Sequence, residues 1–61
     1  MDASSEFVVE KSGDDFGYDV YEVTGGVRTH VSWQVSERMA LLVARGLAGG
    51  EYAVISNGWL V

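Results

Sequence analysis

The spacing of hydrophobic residues changes once along this chain, and the change restricts the folds open to it. Up to about residue 31, apolar and polar residues alternate with a period of two, as in β-strands that bury one face. Beyond that point the period becomes about 3.6, the spacing of an amphipathic helix. The residues that follow this second period are Val35, Met39, Leu42, Val43 and Leu47, and Ala40, Leu41 and Ala44 widen the apolar stripe. The sequence therefore predicts an α+β fold in which strands come first and a helix follows.

Three strands are expected before the helix, joined as an antiparallel meander. They are rich in β-branched and aromatic residues and cover residues 6–11, 18–23 and 27–31. Gly25 and Gly26 lie between the second and third strands, and both can adopt the positive φ that a two-residue hairpin loop requires. With these two residues in the loop, Val20 is expected to face Val31 across the hairpin.

Strand alternation divides the side chains between two faces of the sheet. The inner face, which the helix is expected to cover, carries Phe7, Val9, Tyr18, Val20, Val27 and Val31. The open face carries Glu6, Val8, Glu10, Asp19, Tyr21, Arg28 and His30. The core predicted between sheet and helix consists of Phe7, Val9, Val20, Val31, Met39, Leu42 and Val43.

Capping and turn residues mark the ends of the helix and of the segment after it. Ser32 or Ser36 is expected to cap the first turn of the helix, and Gly49 its last. A fourth strand should come next, and the Asn57-Gly58 pair predicts a hairpin into a short final segment. These two elements cover residues 51–56 and 59–61. The whole chain, residues 1–61, is expected to form one domain of order β-β-β-α-β, with a short C-terminal strand or hairpin.

Chain length and cysteine content limit how this domain can be stabilised. With 61 residues and no cysteine, it depends on packing or association rather than on disulfides. The longest apolar run, residues 39–44, is far too short to span a bilayer. The acidic start, residues 1–5, lacks the basic and apolar regions of a signal peptide, so a cytoplasmic location is expected, away from membranes.

The side chains available for catalysis or metal binding are few. The single histidine, His30, is expected opposite Tyr21 on a strand, which is no catalytic pair, and the chain has neither cysteine nor a G-x-S-x-G motif. Asp14, Asp15 and Asp19 surround a turn but lack the ligand spacing of a calcium loop. We therefore expect no enzymatic activity, no cofactor and no metal.

Negative charge is concentrated at one end of the chain. The first 22 residues carry seven carboxylates against Lys11, giving −6, whereas the remaining 39 carry two acids and three arginines, giving +1, for a total of −5. Such a field attracts basic partners and repels nucleic acid. The predicted partner-binding residues are Glu6, Glu10, Asp14, Asp15, Asp19, Tyr21 and Glu22. The alternative interpretation is that these charges only keep the domain soluble and protect its sheet edges.

Three aromatic residues are further candidates for contact with a partner: Trp33, Tyr52 and Trp59. Trp33 precedes the helix and is expected to hold the helix start against the sheet, although the same ring could anchor a partner. Trp59 follows the Asn57-Gly58 turn and is expected to pack across that hairpin.

In size, acidity and compact α+β pattern, the whole chain resembles the small phage-encoded anti-CRISPR proteins, which share no diagnostic motif. The resemblance implies an inhibitor that occupies a basic nucleic-acid-binding surface of a CRISPR effector complex and so blocks target DNA binding. Because −5 is modest for a full DNA mimic, a local acidic patch on a monomer is expected. The alternative is a structural or regulatory interaction module that self-associates through a sheet edge.

Overall fold

The computed structural model describes residues 5–13 and 16–61, which form a mixed sheet with a helix on one face. The elements are β1 (Ser5–Lys11), β2 (Tyr18–Thr24), β3 (Val27–Gln34), α1 (Glu37–Ala48), β4 (Ala53–Ser56) and β5 (Trp59–Leu60). The predicted α+β class is confirmed. The order of the first three strands, the helix and the short C-terminal strands is confirmed with it.

The strand order in the sheet is β3-β2-β1-β4-β5, so the first strand of the chain lies at the centre. β1 pairs with β2 in antiparallel and with β4 in parallel orientation. The sequence did not indicate this parallel pairing, because it depends on where the helix returns the chain. A parallel strand needs a long crossover connection, and α1 provides it between β3 and β4.

Both hairpins have the loop geometry expected from their sequences. Gly25 and Gly26 have φ of 59° and 83°, and Asn57 and Gly58 have φ of 54° and 80°. Positive φ at both loop residues is the requirement of a type I′ turn, whose twist matches that of the flanking strands. The two predicted two-residue turns are confirmed.

The register between β2 and β3 departs from prediction at one point. Tyr21 faces His30 as the hairpin predicts, but Val20 faces Ser32 rather than Val31. Val31 is the extra residue of a β-bulge, without a partner on β2, and 40% of its surface is exposed. Its predicted pairing with Val20 and its predicted burial are therefore wrong.

The helix begins and ends at two of the predicted capping residues. Ser36 is the N-cap, and its Oγ accepts a hydrogen bond of 3.3 Å from the backbone N–H of Met39. Gly49 adopts the left-handed conformation at the C-cap and donates its N–H to the carbonyl of Arg45 at 3.0 Å. Of the two serines proposed as caps, Ser36 is the one used, whereas Ser32 lies within β3.

The helix turns a different face to the sheet from the one predicted. Its buried residues are Ala40, Ala44 and Ala48, four residues apart. Met39 and Leu42, which were expected in the core, are 45% and 57% exposed. Alanine side chains let the helix backbone approach the sheet closely, so the larger side chains of the sheet fill the space between the two layers.

The core therefore consists of large residues from the sheet and small residues from the helix. Its buried members are Phe7, Val9, Val20, Ala40, Ala44, Ala48 and Val54, with Tyr18 and Leu41 packed against them. Phe7, Val9 and Val20 confirm the prediction, Val43 is only half-buried, and Val27 is 63% exposed. The buried Ser56 donates a hydrogen bond of 2.8 Å to Glu37, which joins β4 to the start of the helix. Within the described residues, no helix is long and apolar enough to cross a membrane.

Candidate partner-binding face of the sheet

The sheet face opposite the helix, here called the open face, brings several predicted binding residues together. Glu10 lies directly across from Asp19, and Glu6 lies across from Val23. Alternation along β1 and β2 puts these three acids and Tyr21 on the same side of the sheet. The open face therefore carries Glu6, Glu10, Asp19 and Tyr21, as the sequence predicted.

The other predicted binding residues do not share this placement. Glu22 lies across from the buried Phe7, so it belongs to the face on which the helix packs. Asp14 and Asp15 lie outside the described residues. The predicted set of binding residues is thus divided, and four of its seven members are on the open face.

Tyr21 is the centre of a charged network on the open face. The guanidinium of Arg28 lies over its ring, 4.2 Å from the centroid, and donates a hydrogen bond of 2.8 Å to Glu10. His30 packs edge-on against the same ring at 5.3 Å, and its Nε2 lies 2.9 Å from Asp19 Oδ1. The aromatic ring therefore separates two side chains of β3. His30 reaches Asp19 on the adjacent strand β2, and Arg28 reaches across β2 to Glu10 on β1.

This network offsets the repulsion between the two acids that face each other. Like charges directly opposite on adjacent strands destabilise a sheet, and Glu10 and Asp19 are in that relation. Arg28 balances Glu10, while His30 and the Ser12 hydroxyl, at 3.1 Å, each contact one oxygen of Asp19. The negative field of the open face is therefore weaker than a count of its acids suggests. Glu6 forms no ion pair within the described part of the chain.

The Arg28 side chain keeps its charge over the whole physiological pH range. Its hydrogen bond to Glu10 raises the pKa of the guanidinium above its ordinary value, with a smaller contribution from the charge of that acid. Because the folded-state pKa of this cation is raised, its contribution to the free energy of unfolding is complete below the unfolded-state pKa. That contribution is lost only in strong alkali. The side chains of both partners are about half exposed, at 48% and 42%. The pair therefore adds little to stability and mainly orients the acid.

An aromatic cluster lies at the end of the open face where β2 begins. Trp33 faces Asp19 across the β2–β3 pair, and its ring contacts Phe16 at a centroid distance of 5.7 Å. Gly17, with φ of 82°, lies under this ring, where any side chain would overlap it. The expectation that Trp33 holds the helix start against the sheet is wrong, because the bulge at Val31 turns its side chain to the opposite face.

The open face also has an apolar part that sequence reasoning missed. Val8 lies between Tyr21 on β2 and Ile55 on β4, and all three are half-buried. Leu60 continues this row on β5 and is 74% exposed. Ile55 and Leu60 could be assigned to this face only once β4 was known to pair with β1. Trp59 faces Ser56 and is 76% exposed, so the expectation that it packs across its hairpin is wrong.

The order of groups around Asp19 differs from that of a nucleophilic triad. In a triad the histidine lies between the hydroxyl and the carboxylate, so that it can accept the hydroxyl proton. Here Asp19 lies between Ser12 and His30 and contacts both. This arrangement orients the three side chains. No group of three or more potential metal ligands occurs in residues 5–13 and 16–61.

A shallow cavity of about 320 Å³ lies between the end of α1 and strands β4 and β5. Its walls are mostly apolar, including Tyr52, Val54 and Leu60, and Arg45 is the charged side chain that borders it.

Comparison with known proteins gives no relative: no family model, no curated protein and no solved structure matches this chain.

Proposed function

We propose that this chain is a small protein-binding inhibitor whose open face docks onto the basic, nucleic-acid-binding surface of a partner protein. The partner is a subunit of a CRISPR effector complex in the host-cell cytoplasm, and the step that is blocked is target DNA binding. The observation that carries the proposal is the grouping of Glu6, Glu10 and Asp19 around Tyr21 on one exposed sheet face.

The chemistry of this face suits arginine and lysine side chains that normally contact phosphate. Carboxylates accept charge-assisted hydrogen bonds from such groups, and tyrosine is among the residues enriched at protein contacts. Arg28 holds Glu10 in one place before binding, which lowers the entropy lost when a partner docks. Two of the three acids already have a basic neighbour in the chain. The proposal is therefore a local acidic patch and not the imitation of a duplex.

The competing function, a module that self-associates through a sheet edge, has less support. β3 and β5 are the two edges of the sheet. β3 carries the bulge at Val31, and bulges at edges hinder pairing with another chain. β5 has only two residues, too few for a strong ladder. Both edges favour a monomer.

The test is a competition experiment with purified CRISPR effector complexes and labelled target DNA. The wild-type protein should displace DNA, and the double substitution Glu6→Lys with Glu10→Lys should abolish displacement while the protein stays folded. The double substitution Glu22→Lys with Glu51→Lys is the matched control. It makes the same total charge change, on the helix side of the sheet and at the exposed start of the C-terminal segment, so this variant should inhibit normally.

Salt provides a second measurement. Inhibition should weaken as ionic strength rises, because the attraction between exposed charges is screened over about 10 Å at 0.1 M salt. Full inhibition by the folded Glu6→Lys, Glu10→Lys protein would exclude the open face as the docking surface. Equal loss of inhibition in both double variants would show that only the total charge matters.

A further inference from the structure

The side of α1 that points away from the sheet is apolar and uncovered. This outer helix face consists of Met39, Leu42, Val43, Gly46 and Leu47. Three of its side chains are 45%, 57% and 50% exposed, in the order Met39, Leu42 and Leu47. The opposite side of the same helix already packs against the sheet through alanines. A helix that is apolar on both sides is typical of one that is buried on both sides.

The spacing along this face is that of a helix-pairing seam. Met39, Leu42 and Gly46 are three and four residues apart. This alternation of three and four is the a and d spacing of helices that pack side by side. The seam therefore predicts a helix as the occupant of the outer helix face.

Gly46 gives independent support for a helical partner, because the fold of this chain does not require a glycine there. It lies within the helix, its φ is not positive, and a Cβ built on it meets nothing within 4 Å. Glycine inside a helix lowers stability relative to alanine, so the isolated domain gains nothing from it. On a seam, however, it leaves a hole into which a partner's side chain can fit.

The charges beside the seam define the chemistry of the partner. Arg38 and Arg45 are both exposed and are seven residues, or about two turns, apart on the same flank. Neither forms an ion pair with any residue in the described part of the chain. The acid of this helix, Glu37, lies on the side near β4 and accepts hydrogen bonds from Ser56 and Asn57. The flank of the seam is therefore positive.

A second copy of this chain would not satisfy these charges. In an antiparallel pair related by a two-fold axis, the same flank of both helices lies on the same side. Arg38 of one copy would then face Arg45 of the other, and like charges in that position are unfavourable. A parallel pair would place both arginines beside the apolar flank of the other copy and leave them unpaired.

We propose that the outer helix face binds an amphipathic helix of another protein, with an apolar seam and glutamate or aspartate on its flanks. The partner helix places a large apolar side chain over Gly46 and its acids against Arg38 and Arg45. This surface lies on the other side of the molecule from the open face and attracts the opposite charge, so it does not depend on the proposed function.

The probes are two labelled synthetic peptides with the same apolar heptad seam, one with glutamates and one with lysines at every flanking position. Fluorescence anisotropy with the full chain should show binding of the glutamate peptide only. Reversing the charge of both arginines, Arg38→Glu with Arg45→Glu, should weaken binding of the glutamate peptide by about tenfold or more. The same variant should bind the lysine peptide.

A second variant separates binding from folding. Gly46→Leu fills the hole on the seam, so it should abolish peptide binding while the melting temperature stays the same or rises. Leu42→Ser should also weaken binding. Val27→Ser, a matched change at an apolar residue that is 63% exposed on β3, should leave binding unchanged.

Three results would overturn the proposal. The first is undiminished binding of the glutamate peptide by Gly46→Leu. The second is failure of the folded chain to bind either peptide. The third is a concentration-dependent dimer in sedimentation that Leu42→Ser disrupts, with no preference between the peptides, because a second copy would then be the occupant.

Discussion

The open face of the sheet and the outer helix face differ in how far the chain satisfies its own side chains. On the open face, Arg28 and His30 of β3 contact acids of β1 and β2 around one aromatic ring. On the outer helix face, large apolar side chains are exposed and two arginines form no ion pair with the described residues. The difference shows that the most charged segment of a sequence need not form the least compensated surface of the fold.

The way in which α1 packs against the sheet produces this difference between the two faces. The helix turns its alanines inward, so the core is filled by side chains such as Phe7 and Val9 from β1. Phe7→Ala is therefore expected to cause the largest loss of stability, about 3–5 kcal/mol of unfolding free energy. Urea denaturation followed by circular dichroism measures it. An unfolding midpoint equal to that of the wild type would mean that the core lies elsewhere.

The next prediction compares the two sides of the helix directly. Ala44 is fully buried and Leu42 is 57% exposed. Ala44→Leu overfills the contact between helix and sheet, so it should lower the free energy of unfolding by about 1–3 kcal/mol. Leu42→Ala should change stability by no more than about 0.5 kcal/mol, as exposed substitutions generally do. The same denaturation experiment applies to both, and the reverse ranking would show that the helix is turned the other way.

A third prediction concerns the aromatic end of the open face. Gly17→Ala places a side chain where φ is 82° and where the ring of Trp33 lies. The left-handed conformation alone should cost about 1–2 kcal/mol, and displacement of the ring should shift tryptophan emission towards longer wavelength. Gly13→Ala is the matched control in the same connection, because its Cβ meets nothing within 4 Å. Equal behaviour of the two variants would contradict the packing of Trp33 on Gly17.

The smallest effect is expected within the charged network. Arg28 and Glu10 are both about half exposed, so Arg28→Gln, Glu10→Gln and the double variant should melt close to the wild type. A double-mutant cycle should give a small favourable coupling that declines with added salt. A large coupling that resists salt would mean that this pair is a structural element and not a surface arrangement.

Local signals in the sequence predicted much of the fold. Gly25-Gly26 and Asn57-Gly58 need positive φ whatever surrounds them, and Ser36 and Gly49 cap the helix through bonds within one turn. These features depend on neighbouring residues only, so the strands, turns and helix were assigned correctly in order and type.

The errors concern interactions between distant residues. The pattern of Met39 and Leu42 marks an apolar side of the helix, but it does not distinguish contact with the sheet from contact with a partner. The bulge at Val31 and the pairing of β4 with β1 depend on the assembled sheet. The open-face acids were predicted from alternation, whereas their pairing with Arg28 and His30 required the register across three strands.

The central place of β1 in the sheet has a consequence for how the protein is made. β1 leaves the ribosome before the other strands of this sheet, yet one of its edges pairs with β4, residues 53–56, which follows the helix. Until β4 has been synthesised, that edge stays open, so the nascent meander can pair wrongly with other strands. Folding of the sheet is therefore completed only after β4 has emerged, and a chain truncated before β4 exposes the edge permanently.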